Sequence, residues 1–449
     1  MVTPASIEKK ELTKLNSAFT KAEIENQLKS LDSSQYNSEE AFRLLINGLF
    51  QAEGHIGGEF LSHNKRNIDS LQKEIKQSEN IKFRPIVFIS LNASSETIKL
   101  FKRLNSVFNN KLNFLVTLNK SGLYHIRIYT RKWDIIINKW IPYFKNCYGD
   151  KQRGLLILRK LYYLSNKSNQ NNNEKLKILY LIYNLVDNSQ RKISLIDRVR
   201  LVFNDKSMIL DNEYLEEYLK NTICIKEPEM SILFILGFYL GDGTFSIFTR
   251  YNGKGLQYRP TFRILQKYTK DNYNLLLLIQ TYLIKYNINS HITISNNKVL
   301  ITVDSNKSSK LLNNLFTNYK EFYYNKSDQF NLWNKSCLLL GKVKFWREAN
   351  LILLRLIYEY NNNKENYDEK VNIINKYFNE TQKDTYFIYD SKNTSYMVTL
   401  PIKVKPRQKY FFYVNSKSVM IKTKEETLLE AKNYRDKTLN QWLIENKLI

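Results

Sequence analysis

"LLINGLFQAEGHIGGEF", residues 44–60, starts as an apolar helix and ends in an acid followed by a glycine. Gly48 and Ala52 stand four apart, so they share one helix face, and Glu53 and Gly54 close the run. A second stretch, "SILFILGFYLGDGTFSIF", residues 231–248, repeats the plan with Gly237, Gly241, Asp242 and Gly243. Small residues on one face let two helix backbones approach closely, so Gly48, Ala52, Gly237 and Gly241 are expected to form one interface between the two helices. A carboxylate at each helix tip then sits beside its counterpart. Two acids held together repel unless something positive lies between them, and the carboxyl ends of both helices add negative dipole. Hard oxygen ligands of this kind suit Mg²⁺. A metal flanked by two acids can activate a water and stabilise the leaving oxygen of a phosphodiester.

Composition narrows the partner. The 449 residues are enough for two or three domains, and 43% are hydrophobic, enough for real cores. No apolar run reaches the length of a membrane span, and "MVTPASIEKKELTKL" at the N-terminus lacks the apolar centre of a secretory signal. Cys147, Cys224 and Cys337 lie far apart, which argues against a disulfide framework or a multi-cysteine zinc site. The four histidines are scattered as well. A net charge of +26 points to a polyanion, with nucleic acid as the commonest one. No serine, cysteine or histidine constellation suggests a covalent nucleophile, so water is expected to attack directly.

The pattern reads as two similar units and a tail. Residues 1–37 are a polar, lysine-rich arm. The first unit spans 38–165, with its motif helix starting near Asn37–Ser38 ahead of Glu39 and Glu40. Residues 166–226 open with the low-complexity "NKSNQNNNEK" and continue as a helical insertion or linker. The second unit spans 227–375, with its motif helix expected from Glu227–Pro228, since proline suits a first turn. Strand-like segments follow each motif helix, and each unit reads as helix, hairpin, helix, hairpin, helices. The basic tail, 376–449, alternates like two or three short strands and ends in a helix capped by Thr423 with Glu426 three residues on.

"INGLFQAEG" (46–54) and "ILGFYLGDG" (235–243) resemble the two LAGLIDADG motifs of homing endonucleases and intron maturases. The resemblance covers residues from about 40 to 360. It implies an α+β fold, two αββαββα repeats in one pseudo-twofold monomer whose sheets form a DNA-binding saddle, with a small C-terminal ββ(β)α module. It implies cleavage of both strands of a long, asymmetric double-stranded DNA site, leaving short 3′ overhangs, with two or three Mg²⁺ ions at the motif-helix tips. The family's metal-binding acid falls on Glu53 and Asp242, and the carbonyls of Ala52 and Gly241 would add metal contacts. The family's strand-end amide matches Gln266 in "FRILQ", and Asn92 in "FISLN" stands as its counterpart. The active-site lysine matches Lys151 in "CYGDK" and Lys326 in "FYYNK", although both segments lack the family's proline.

Strand alternation nominates the DNA-facing side chains. In the second unit these are Ser246, Phe248 and Arg250, then Gln257, Arg259, Thr261 and Arg263, then His291, Thr293 and Ser295. In the first unit they are His125, Arg127 and Tyr129. Gln and Arg suit adenine and guanine edges. The tail resembles an AP2-like DNA-binding module, made basic by Lys403, Lys405, Arg407 and Lys409. Two other uses of the fold stay open. One is a maturase holding host intron RNA; the other is a binder without catalysis. An AT-type composition rich in Asn, Lys, Ile and Tyr suits a protein encoded in an organelle, a mitochondrion first and a chloroplast as the alternative.

Overall fold

The computed structural model describes residues 20–29, 38–60, 81–120, 122–185, 194–203, 205, 209–251, 256–343, 346–361, 366–381, 388–391, 394–400, 402, 408–415 and 418–448. Helix α1 (Lys21–Lys29) lies within the arm and buries Ile24 and Leu28 in the main core. Helix α2 (Glu39–Glu53) begins where Ser38 accepts a hydrogen bond from the Ala41 amide, as its sequence suggests. It runs into strand β1 (Gly54–Phe60), followed by β2 (Phe83–Asn92), helix α3 (Ser95–Val107), β3 (Asn113–Leu118) and β4 (Tyr124–Thr130). A helical run from Trp133 to Tyr143 leads to α4 (Gly149–Ser165). The linker forms α5 (Asn172–Leu185), α6 (Leu195–Phe203) and α7 (Asn212–Thr222), which share a small core of Leu179, Tyr180, Leu195, Val199 and Leu215.

The second unit retraces the first. Helix α8 (Ile232–Asp242) is capped by Ser231, which accepts from the Phe234 amide. The expected start at Glu227–Pro228 is therefore corrected. Residues 223–230 stay non-helical, and the cap with the buried apolar run behind it, not the proline, sets the boundary. Strands β5 (Gly243–Tyr251) and β6 (Leu256–Lys267), helix α9 (Lys270–Ile284), β7 (His291–Ser295), β8 (Lys298–Val303), α10 (Asn306–Thr317) and α11 (Ser327–Leu339) complete the repeat. Helices α12 (Arg347–Asn361) and α13 (Tyr367–Thr381) follow.

Each unit holds one four-stranded antiparallel sheet. The strand orders are β1-β2-β4-β3 and β5-β6-β8-β7, the same order in both repeats. One face of each sheet covers the core. In β2 the burial alternates residue by residue, with Phe83, Val87, Ile89 and Leu91 inward. The core runs through both repeats. Phe50, Trp140 and Phe144 cluster in the first, and Tyr239, Phe245, Phe262 and Trp333 in the second.

Helices α2 and α8 meet at the centre. Residues Phe42–Gln51 and Ile232–Leu240 are largely buried, so α8 has almost no polar stripe. The crossing point is made by glycine. A Cβ on Gly48 would strike the Phe234 carbonyl oxygen and fall 2.8 Å from the Phe238 nitrogen. A Cβ on Gly237 would strike the Leu45 carbonyl oxygen and fall 2.9 Å from the Leu49 nitrogen. The two contacts are reciprocal, as a twofold crossing requires.

The tail forms a three-stranded antiparallel sheet, order β11-β10-β9 (Gln408–Phe412, Ser395–Thr399, Ile388–Ser391). Helix α14 (Lys424–Glu445) packs on it, and Thr423 with Glu426 forms the full reciprocal cap. Trp442 of this helix lies against Trp346, which joins the tail to the second unit. Among the described residues no helix is long and apolar enough to cross a membrane.

Candidate catalytic centre and nucleic-acid face

The central crossing brings the helix tips together. A Cβ on Gly241 would meet the Ala52 Cβ and lie 2.8 Å from the Glu53 Cγ. The two small residues therefore let Glu53 and Asp242 stand side by side at one end of the helix pair, with the Ala52 and Gly241 carbonyls one residue behind them. Burial pushes the Glu53 carboxyl up, and the neighbouring Asp242 pushes it the same way, against the pull of Lys151 and Lys326. Burial also pushes Asp242 up, against a hydrogen bond from Gln266 and the same two lysines. At both carboxyls burial thus outweighs the pull of the two lysines.

The lysines are placed as twins. The Lys151 ammonium, at the start of α4, donates to the Gly54 carbonyl. The Lys326 ammonium, just before α11, donates to the Gly243 carbonyl at 3.1 Å. Each reaches the residue that follows its own unit's acid. Burial pushes both lysines down, while Glu53 and Asp242 hold them up.

The amide position is not symmetric. Gln266 donates to Asp242 Oδ2 at 2.6 Å. In the sheet registers Gly243 pairs with Ile264 and Gly54 pairs with Ile89. The counterpart of Gln266, two residues beyond Ile264, is therefore Leu91, which is 5% exposed. Asn92 is corrected as a member of the centre. It follows Leu91 by one residue, and a one-residue step turns a strand side chain to the other face. Asn92 is exposed there, pairing with His125 across the sheet.

Among the described residues no three His, Cys, Asp or Glu side chains gather as a metal site. An ion here would take two carboxylates, and carbonyl, water and phosphate oxygens would fill the rest. That donor set fits Mg²⁺, which keeps waters and binds through one or two carboxylates plus substrate phosphates. A cavity of about 1050 Å³ opens beside the centre, lined in part by Ala52, His55, Lys151, Arg153, Gln266 and Lys267.

The outer sheet faces carry most of the nominated readers. Phe248, Arg250, Gln257 and Arg259 are exposed, as are His291, Thr293 and Ser295 on the edge strand. Ser246 and Arg263 are half-buried between them, and so are His125, Arg127 and Tyr129 in the first sheet. Thr261 is corrected. It lies on this face but is 1% exposed, because β6 is an inner strand and its hydroxyl turns back to the Arg259 carbonyl. Lys409 is exposed, but its ammonium sits 4.4 Å over Tyr434 on the helix side of the tail sheet. Lys403, Lys405 and Arg407 lie outside the described residues.

His55 was not among the sequence-derived candidates. It occupies the position of Thr244 in the second unit, two residues past the acid, so its outward placement was available from the motif spacing. Its ring stacks on Phe88 at 4.5 Å. Burial, Lys151 and Arg127 push its pKa down to about 4, so it is neutral at pH 7.

Comparison with known proteins bears on the fold. Residues 235–337 match the family model for LAGLIDADG endonuclease. No curated protein matches the chain in sequence. I-SmaMI bound to uncleaved DNA target in the presence of calcium ions is 15% identical, with a TM-score of 0.52, covering 73% of this chain and 99% of that one. The I-LtrWI LAGLIDADG homing endonuclease bound to target DNA is 17% identical, with a TM-score of 0.48, covering 71% and 97%. At the first of these identities the likeness establishes the fold. The resemblance to the LAGLIDADG family thus rests on the sequence of the second repeat and on the saddle fold of both.

Proposed function

We propose that this chain is a site-specific endonuclease that hydrolyses both strands of double-stranded DNA with a divalent metal and a water nucleophile. The observation that carries the proposal is the central pair, Glu53 and Asp242, held together at abutting helix tips and half-buried beside Lys151 and Lys326. A structural role does not require this. The arrangement costs stability unless a cation or its substrate completes it. The proteins of the same fold named above were seen with DNA, and the chain's +26 charge suits a phosphate backbone.

In this reading Glu53 and Asp242 hold Mg²⁺, with the Ala52 and Gly241 carbonyls as further donors. When bound, Mg²⁺ lowers the pKa of an attacking water and screens charge on the phosphate. Gln266 fixes the rotamer of Asp242 through its 2.6 Å hydrogen bond. Lys151 and Lys326, each anchored on a glycine carbonyl, place positive charge beside a scissile phosphate on either strand. Water attacks phosphorus and releases a proton to solvent, one P–O bond to the sugar breaks, and the leaving oxygen takes a proton from solvent.

Both repeats lie in one chain, so the protein acts as a monomer on an asymmetric site. The AT-type composition fits an enzyme encoded within an intron of an organelle genome, a mitochondrion or a chloroplast. The tail module would extend the DNA footprint. A maturase or a binder without catalysis would have no chemical need for the paired acids. The test is cleavage of a randomised, intron-flank-enriched DNA library by purified protein with Mg²⁺. Recovery of one recurrent sequence cut on both strands is expected. Absence of cutting on a library containing the intact insertion site, with tight binding of the host intron RNA, would contradict the proposal.

A further inference from the structure

Arginine is the commonest reader of guanine, through paired hydrogen bonds to O6 and N7. Such a contact needs a guanidinium that is held flat and has free donors. The outer faces offer three arginines besides the exposed Arg84 and Arg250, and the three are not equivalent. Arg259 is 63% exposed at its side chain and is tied by an ion pair to Asp304. Arg127, on β4, lies 4.0 Å over the Phe88 ring. Arg263, on β6, lies 4.9 Å over the Phe248 ring. For both, the Nε is buried without a partner. Among the described residues neither has a hydrogen bond or an ion pair. Each guanidinium is therefore supported on an aromatic face, which restricts its motion, while its outer edge is left unbonded.

The two arrangements did not come from the repeat. In register, Arg263 corresponds to Phe88 and Leu300 corresponds to Arg127. The same device, an arginine on a phenylalanine, has been built at two unrelated places, once on each sheet. Around Arg127 the nearest cross-strand neighbours are Ser90 and Leu115, and around Arg263 they are Thr244 and Thr302. None of these is acidic, so no directly opposed side chain competes for either guanidinium.

We infer that the DNA target carries one guanine in each half, read by Arg127 and by Arg263, and that Phe88 and Phe248 are the positioning residues that hold these arginines in reading geometry. The inference rests on the endonuclease reading given above, and it specifies the substrate more finely. Arg259, already paired with Asp304, contributes phosphate attraction and little base selectivity.

The experiment is selection of bound sequences by the full chain from random double-stranded DNA, with Ca²⁺ replacing Mg²⁺ to hold back cleavage. The bound consensus is expected to contain a fixed guanine in each half. Arg127→Ala should relax one of these positions and Arg263→Ala the other, by ~10- to 100-fold in preference. Phe88→Leu should weaken the guanine preference lost in Arg127→Ala although the arginine remains. Replacing each fixed guanine by 7-deazaguanine, which lacks the N7 acceptor, should weaken binding by the parent chain and leave the matching arginine variant indifferent. Arg259→Ala should lower affinity without changing the consensus. A consensus with no fixed guanine, or one unchanged in both arginine variants, would overturn the inference while leaving site-specific binding intact. A parent chain that selects no consensus would overturn the endonuclease reading and this inference with it.

Discussion

Gly237→Ala is the substitution that most sharply separates this account from a bland one. In an ordinary helix the change gains about 1 kcal/mol, because glycine is a poorer helix former than alanine. Here the added Cβ would strike the Leu45 carbonyl oxygen and lie 2.8 Å from its carbonyl carbon and 2.9 Å from the Leu49 nitrogen. All three are backbone atoms and cannot rotate away. Ordinary contact needs about 3.5 Å or more, so helices α2 and α8 must part by roughly 1.5 Å, and a gap of even 0.5–1 Å already forfeits about a quarter to a half of each dispersion contact it opens. Overpacking of this kind costs about 3 kcal/mol, leaving a net loss of about 2 kcal/mol after the helix gain. Gly154→Ala is the internal control. The three atoms nearest its Cβ would all belong to the Ile56 side chain, at 3.0–3.4 Å, which can shift by a few tenths of an ångström, so the change should be close to neutral. Guanidinium chloride unfolding followed by circular dichroism measures both variants at unchanged slope. A Gly237→Ala protein as stable as the parent, or more so, would show that the helices do not cross at these glycines and that the acid pair is not held as described.

Four other outcomes follow from the same geometry. Glu53→Gln and Asp242→Asn should each raise the thermal midpoint at pH 7. Both carboxyls have folded pKa values above their unfolded ones, so stability falls as pH rises from the unfolded value through the folded one; the gain should shrink towards zero as pH falls below about 4, where the parent acids are protonated too. Mg²⁺ or Ca²⁺ should raise the parent's midpoint in a concentration-dependent way by binding the folded state alone, and should do so much less in either variant. A scan across metal concentration checks it. Leu91→Gln should narrow any difference between the two strand-cleavage rates, since only Asp242 now has an amide partner, and Gln266→Leu should remove that partner; the lifetime of nicked plasmid reports both. Lys326→Met should cut the cleavage rate by roughly tenfold or more at saturating DNA, by removing charge beside the reacting phosphate, with binding in Ca²⁺ little changed.

Much of this architecture was legible in the sequence because short-range rules set it. The motif helices, their small-residue faces, the terminal acids and the capping of α2 and α14 depend on residues at most a few positions apart. Lys151 and Lys326 were found by position in the motif, and both reach the glycine carbonyls. What failed was decided by pairing between distant strands. Asn92 was placed by its distance from the end of a strand, whereas the β1–β2 register makes Leu91 the counterpart of Gln266. Thr261 has the right alternation for a reader, but alternation fixes only the face and not the depth on an inner strand. The start of α8 was drawn to Pro228, when Ser231 and the apolar run behind it held the stronger signal. The His55–Phe88–Arg127 cluster joins three strands and leaves no trace in local periodicity.

The central claim is that Glu53 and Asp242 form one hydrolytic centre serving both strands. Its most direct measurement is cleavage of a supercoiled plasmid carrying the selected site by the parent chain, Glu53→Gln, Asp242→Asn and the double variant, with Mg²⁺, beside DNA binding by each in Ca²⁺. The account predicts linear product from the parent, nicked product or none from the single variants, none from the double variant, and retained binding throughout. Linear product at the parental rate from the double variant would show that the chemistry lies elsewhere.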